Sequence, residues 1–136
     1  MRESRLKNSD YAVLSEFRYL IRCFLEFSED RARLAGLTTR QHQALLAIKG
    51  HGAGHPITVG DLAERLRIRH HSAVELANRL CEAGLAFRSH DSEDQRRVLL
   101  GLTELAEERL SELSAAHYDE LKRIKPMLEQ VLDRHS

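Results

Sequence analysis

The chain has 136 residues, of which 42% are hydrophobic and 31% charged, and its 21 basic and 21 acidic side chains give a formal net charge of zero. This length favours a single domain with a core of its own, and the balance of charge excludes a polybasic, histone-like protein. The two cysteines, Cys23 and Cys81, lie far apart in the sequence, as is typical of a reduced cytoplasmic protein.

The opening stretch MRESRLKNSDY lacks the apolar segment of a secretory signal. No apolar run approaches the roughly 20 residues of a membrane span. We therefore expect a cytoplasmic protein without a membrane partner.

Apolar side chains three or four positions apart predict helices along most of the chain. The predicted helical segments are 9–34, 38–50, 58–68, 70–84 and 103–133. Ser9 is the expected first N-cap, and Gly36 is expected to end that helix. A kink or a new short helix is expected at Pro126, because proline removes a helical hydrogen bond.

Two of the helix starts carry a capping-box spacing, in Thr38 with Gln41 and in Thr58 with Asp61. The second of these helices is separated from the next by a short break at 67–69, which predicts a helix-turn-helix.

Two short strands are expected after the helix-turn-helix, over 85–90 and 96–102, with residues 91–95 as the connection. A hairpin in this position is the wing of a winged helix-turn-helix. The expected fold is therefore mainly α with a small β-hairpin wing. The adjacent arginines Arg96 and Arg97 would stand near the wing tip, where they could reach a DNA backbone or minor groove.

The chain resembles the MarR family of winged helix-turn-helix transcriptional regulators. The stretches that carry the resemblance are LTTRQHQALLAI (37–48), TVGDLAERLRIRHHSAVELANRLCEAGL (58–85) and DSEDQRRVLLGLTELA (91–106). The resemblance implies a homodimer that binds a palindromic operator in double-stranded DNA, most often as a repressor that responds to a small molecule or another signal. It implies dimerisation helices at 1–36 and 104–136, a DNA-binding lobe at 37–103, and no enzymatic activity or cofactor.

The resemblance also places the candidate DNA-binding residues. They are Arg69, His70, His71, Ser72, Glu75, Asp94, Arg96 and Arg97. The segment RLRIRHHS (65–72) carries three arginines, two histidines and no acid, which suits contact with phosphates. Because Arg96 and Arg97 alternate along the predicted strand, one is expected to reach DNA and the other to pair with an acid of the loop. Ser72 is a substitute helix N-cap in this interpretation.

Three residues, Arg18, Tyr19 and His42, could line a cleft for a small aromatic effector, as in relatives of this kind. His51 and His55 are four positions apart, but no cysteine or glutamate stands at a ligand spacing beside them, so we expect no metal site. Cys23 is expected to be a buried, inert thiol.

The apolar ridge of the last helix could be intramolecular core or a subunit seam, and the second alternative is preferred here. The ridge comprises Leu110, Leu113, His117, Leu121, Ile124, Leu128 and Val131. The main rival function is a winged-helix module for protein contact without DNA binding. That rival predicts an apolar exposed face on the second helix of the helix-turn-helix.

Overall fold

The computed structural model describes residues 5–133. The elements found there are α1 (Asn8–Leu34), α2 (Thr39–His51), β1 (Ile57–Thr58), α3 (Val59–Leu66), α4 (His70–Glu82), β2 (Ala86–His90), β3 (Val98–Leu102) and α5 (Glu104–Asp133). The predicted fold class, mainly α with a small wing, is confirmed. The outermost residues of the predicted ranges 1–36 and 104–136, at 1–4 and 134–136, lie outside the described part.

Both predicted capping boxes are present. At the start of α2, the Thr38 hydroxyl accepts from the Gln41 amide at 3.0 Å, and the Gln41 side chain accepts from the Thr38 amide at 3.0 Å. Thr58 and Asp61 form the same pair of bonds at the start of α3, at 3.0 and 3.1 Å. These bonds satisfy amide groups that have no partner within the first turn, so they fix where the two helices begin.

The first helix begins earlier than predicted, and Ser9 is not its N-cap. Lys7 occupies that position, and its backbone amide donates to the Asp10 carboxylate at 2.7 Å. At the other end of α1, Gly36 has φ of 79°, and Gly84 has φ of 73° after α4. Gly36 ends its helix as predicted, and Gly84 does the same for α4, because a side chain disfavours that left-handed conformation. The last helix continues through Pro126, so no new helix begins there.

The strands form one antiparallel sheet in the order β1-β3-β2. The hairpin pairs Ala86 with Leu102 and His90 with Val98, and β1 adds Ile57 opposite Leu100. The two-residue strand β1 was not predicted, because so short a segment carries no alternation. The prediction that Arg96 and Arg97 lie on a strand is wrong, since β3 starts at Val98.

The core of the lobe lies between α2, α3, α4, the sheet and the first turns of α5. Its largest fully buried side chains are Leu45, Leu62, Leu80, Leu85 and Leu100. This core holds the helix-turn-helix and the wing in one packed unit.

Much of the apolar ridge of α5 is intramolecular core rather than a subunit seam. Leu110, Leu113, Ile124 and Val131 are each at most 5% exposed within the single chain. The preferred prediction is wrong for these four residues, because α1 packs along α5 and covers them. Within residues 5–133, no helix has the length and apolar character needed to cross a membrane.

Candidate nucleic-acid interface

The turn between α3 and α4 is fixed by backbone geometry. Arg67 takes a left-handed conformation with φ of 55°, and the Ile68 amide donates to the Ala63 carbonyl at 3.0 Å. These features end α3 and redirect the chain within three residues, so that α4 starts at His70. The result is the tight angle that a helix-turn-helix requires.

The fourth helix has one apolar face and one polar face. Ala73, Leu76, Ala77 and Leu80 are buried against the lobe. The exposed positions are His70, His71, Val74, Glu75, Asn78, Arg79 and Glu82. Val74 is thus the only apolar side chain on the exposed face of α4, a face that suits a polar partner.

The start of α4 is basic and exposed, as predicted. Arg65, Arg67, Arg69, His70 and His71 are all exposed there. Arg67 pairs with Glu64 at 2.8 Å, whereas Arg65 and Arg69 form no salt bridge within residues 5–133. Free guanidinium groups beside the positive end of a helix dipole attract anions.

Arg69 itself is the N-cap of α4, and its side chain makes no capping hydrogen bond. Ser72 lies inside the first turn and is half-buried, so the expectation that it substitutes as N-cap is wrong. Its hydroxyl, with the Glu75 carboxylate, lines a cavity on the outer side of the helix.

Both wing arginines are held by acids of their own loop. The Arg96 guanidinium lies 3.2 Å from Asp94, and that of Arg97 lies 3.6 Å from Asp91. Asp94 also accepts from the Arg96 amide at 3.0 Å. The Arg96 side chain is 92% exposed and that of Arg97 is 56% exposed, so Arg96 stands further from the protein surface. One arginine was predicted to pair with an acid of the loop, and in the free protein both do, whereas the contact of the other arginine with DNA stays a prediction.

Arg88 joins the wing to α4, a contact that the sequence did not predict. Its guanidinium donates to the Cys81 sulfur at 3.3 Å and to the Asn78 side-chain oxygen. An arginine on an alternating strand next to an exposed helical face would be the signal to look for. This contact ties β2 to the exposed side of α4, so that the wing and the helix keep a fixed relation.

The three candidate effector residues occupy different environments. Tyr19 is 56% exposed on α1, and Arg18 is also exposed, whereas His42 is 5% exposed. The His42 ring lies 4.9 Å from the ring of His117 on α5. Burial lowers the pKa of His42, and the neighbouring His117 lowers it further. An effector cleft lined by all three residues stays a prediction.

The cysteines and loop histidines are placed as follows. Cys23 and Cys81 are half-buried thiols, and a hydrogen bond with Cys23 raises the pKa of Tyr19. His51 and His55 are exposed. Within residues 5–133, no group of three or more histidine, cysteine or acidic side chains is arranged to hold a metal ion.

The lobe that contains the helix-turn-helix and the wing is similar to a known protein family. The model of the MarR family matches residues 35–97, which span α2, α3, α4 and most of the wing. The matched segment, a little under half of the chain, is similar to the MarR family. The predicted resemblance is thereby confirmed, and it rests on the same helix-turn-helix and wing segments.

Individual relatives agree with the similarity to the MarR family. The chain is 30% identical over 80 residues to the HTH-type transcriptional repressor MdtR of Bacillus subtilis, covering 59% of this chain and 50% of that protein. The chain spans about half the length of the curated relatives it matches. They are named as regulators of transcription and not as enzymes.

Solved structures of MarR-family proteins share the fold. A MarR family protein from Bacillus stearothermophilus superposes with a TM-score of 0.75 at 21% identity, covering 88% of this chain and 82% of that one. A mutant of MepR from S. aureus bound to an oligodeoxyribonucleotide superposes with a TM-score of 0.66 at 22% identity, covering 86% and 82%. At these identities the likeness establishes the fold.

Proposed function

We propose that this chain is a MarR-family regulator of transcription that binds DNA sequence-specifically and acts as a homodimer, most directly as a repressor. The observation that carries the proposal is the exposed basic segment at the start of α4, where Arg65 and Arg69 have no acidic partner within the described range. In a helix-turn-helix, this end of the second helix enters the major groove.

The polar character of α4 supports DNA over the rival protein partner. A protein-binding face needs large apolar side chains at its centre, and Val74, 37% exposed, is the only apolar residue exposed on α4. His70, His71 and Glu75 carry groups that can hydrogen-bond to bases or phosphates. Glu75 can accept from the N4 amino group of cytosine, and Val74 can contact a thymine methyl group.

The wing supplies the second proposed contact. In the free protein, Asp94 holds the Arg96 guanidinium at 3.2 Å, although the side chain is 92% exposed. An exposed ion pair is worth little, so its arginine can exchange the carboxylate for a DNA phosphate or a minor-groove edge. Asp94 then acts by holding the wing tip in place, through its bond to the Arg96 amide.

The proposed dimer rests on an apolar stripe along α1. Its members are Tyr11, Leu14, Phe17, Ile21 and Leu25, each at least 37% exposed. They follow one another by three or four positions and so share one face of the helix. Tyr118, Leu121 and Leu132 of α5 are also exposed, by 65, 44 and 58%. A second copy of the chain would cover these surfaces.

A two-fold dimer would present two copies of α4 to one DNA duplex. Their half-sites are then expected about 34 Å, or one helical turn, apart on a palindromic operator. Occupancy of a promoter by such a dimer would exclude the transcription machinery, which is the simplest form of repression. A signal that changes the distance between the two helices would release the operator.

The contribution of the wing is tested by the exposed variant Arg96→Ala. We expect it to weaken binding to any duplex and to reduce the slope of log affinity against log salt by about 1, because one phosphate contact is lost. Thermal unfolding should stay close to that of the parent protein, since the ion pair is exposed. Affinity can be measured by fluorescence anisotropy between about 50 and 200 mM salt.

Arg33→Ala is the matched control. Arg33 also forms an exposed ion pair at 3.2 Å, with Asp30, but it lies near the end of α1. The Arg33→Ala variant removes the same charge as Arg96→Ala and should leave the salt slope unchanged. Equal slopes for the parent protein and Arg96→Ala would remove Arg96 from the interface.

A further inference from the structure

A cavity on the outer side of the helix-turn-helix joins α2 to α4. It has a volume of about 260 Å³ and is lined by Arg40 and Gln41 from the first turn of α2 and by Ser72, Glu75 and Arg79 from α4. Ser72 and Glu75 belong to the set that the family resemblance places at DNA. The cavity therefore continues the proposed DNA-facing side of α4 onto a second helix.

Two arginines bring their charge to this cavity from different helices. Arg40 and Arg79 are both exposed, and neither forms a salt bridge or a side-chain hydrogen bond with any residue from 5 to 133. The wing arginines differ, because each is paired with a loop carboxylate. Arg40 and Arg79 are thus available to an external anion without the loss of an internal ion pair.

The other polar groups of the cavity define its chemistry. The capping box with Thr38 occupies the Gln41 backbone amide and its side-chain oxygen, which leaves the side-chain amino group of Gln41 as a donor. Ser72 offers a hydroxyl donor. Glu75 brings one negative charge against the two positive charges of the arginines, so the net charge of these three side chains is +1. A planar guanidinium donates two parallel hydrogen bonds to the oxygens of a phosphate.

We propose that Arg40 and Arg79 form a clamp on the phosphate backbone of the DNA strand that flanks α4. The inference rests on the proposed function and extends it to α2, which the family resemblance did not place at DNA. A helix in the major groove, about 12 Å wide, has a phosphate strand on either side. Arg79 extends from the exposed face of α4, and Arg40 reaches the same strand from the adjoining helix.

A backbone clamp has a recognisable energetic signature. Phosphate contacts carry no sequence information and release counterions, so their loss weakens binding on every sequence and flattens the salt dependence. We expect Arg40→Gln and Arg79→Gln each to lower the salt slope by about 1, and the double variant by about 2. Both side chains are exposed, so the melting temperature should stay close to that of the parent protein.

The experiment measures binding of the full chain to two duplexes of equal length, one selected for high affinity and one with that sequence shuffled. The expected result is the same fold-loss on both duplexes for each variant. Arg22→Gln, an exposed arginine on α1, removes the same charge and should leave both affinities unchanged. Arg79→Lys keeps the charge but loses the bidentate geometry, so it should fall between the parent and Arg79→Gln.

Three outcomes would overturn the clamp while leaving DNA binding intact. The first is an unchanged salt slope in the double variant. The second is a loss confined to the selected duplex, which would make the arginines readers of bases. The third is binding of inorganic phosphate that the double variant abolishes but that leaves the DNA affinity of the parent protein unchanged at constant ionic strength, which would identify a free-anion site. Failure of the parent protein to retain either duplex would instead contradict the proposed function itself.

Discussion

A pair of histidines, buried His42 and half-buried His117, lies where three helices meet. His117 of α5 accepts or donates on both ring nitrogens: Nδ1 lies 2.6 Å from the Leu113 carbonyl and Nε2 lies 2.8 Å from the Ser28 hydroxyl of α1. Because a carbonyl can only accept, Nδ1 carries the proton, and in the neutral ring Nε2 accepts from Ser28. Phe24 and Phe27 contact the same ring edge-on, at 5.7 and 5.5 Å between centroids.

This environment makes His42 sensitive to acid. Burial first, and the His117 imidazole second, lower the pKa of His42 below its ordinary value of 6.5. A proton on His42 would therefore enter a dry site beside a second imidazole. Because the unfolded chain binds that proton more readily, the free energy of unfolding should fall as the pH drops below about 6.5.

His42→Gln tests this residue. We expect the free energy of unfolding of the parent protein to fall more between pH 7.5 and pH 5.5 than that of the variant, because glutamine does not titrate. Urea unfolding at several pH values measures the difference, and the six histidines other than His42 and its neighbour His117 contribute equally to both proteins. Parallel curves for the two proteins would show that His42 does not carry the pH dependence.

At the scale of single elements, the sequence predicted the helices of the lobe well. Capping boxes at Thr38 and Thr58 are local signals, and local hydrogen bonds do form them. The wing was predicted less well, because its boundary depends on hydrogen bonds within the connection that an alternating pattern does not reveal. The Asp91 amide donates to the Arg97 carbonyl at 3.0 Å, and the Arg97 amide donates to the Asp94 carbonyl at 2.9 Å. These bonds keep both arginines in the connection between the strands, so that β3 begins only at Val98.

Some features of the candidate site could be predicted from the sequence, and others could not. The exposed positions of α4 follow from its helical period, so their exposure could be predicted from sequence. The contacts of Arg88 with Cys81 and Asn78, and of His42 with His117, join residues on different elements. Neither pairing leaves a pattern in one sequence. The prediction that the ridge of α5 is a subunit seam was wrong for a similar reason. Periodicity identifies an apolar face, but it does not show whether α1 or a second chain covers that face.

The exposed stripe of α1 gives an element-scale prediction. The double variant Leu14→Glu with Phe17→Glu should convert the dimer to monomers, because it places two charges in a face that the partner would bury. Leu14 is 54% exposed and Phe17 is 37% exposed in the single chain, so the fold should persist. Sedimentation velocity measures the mass, and circular dichroism measures the fold.

Ala12→Glu is the control for that variant. Ala12 is exposed on the same helix and is not three or four positions from any member of the stripe, so this variant should remain dimeric. A double variant that sediments with the mass of two chains would place the dimer interface elsewhere.

At the scale of the whole molecule, the lobe core and the contact between α1 and α5 form one continuous unit. Thr103 joins several of its parts: its hydroxyl donates to the Gly84 carbonyl after α4 at 2.7 Å and accepts from the Ala106 amide of α5 at 3.2 Å. A shift of α5 against α1 would thereby reach the end of α4. This connection is the physical route by which the proposed dimer helices could set the position of the DNA-binding helices.

The most direct test is selection of bound duplexes from a random DNA pool by the full chain at low ionic strength. A dimer that presents two basic helix starts to one duplex should enrich inverted repeats with half-site centres about 34 Å apart. Enrichment of single half-sites without a repeat would contradict the two-fold arrangement. A pool that stays random after repeated rounds, with no duplex retained, would contradict the claim that this protein binds DNA.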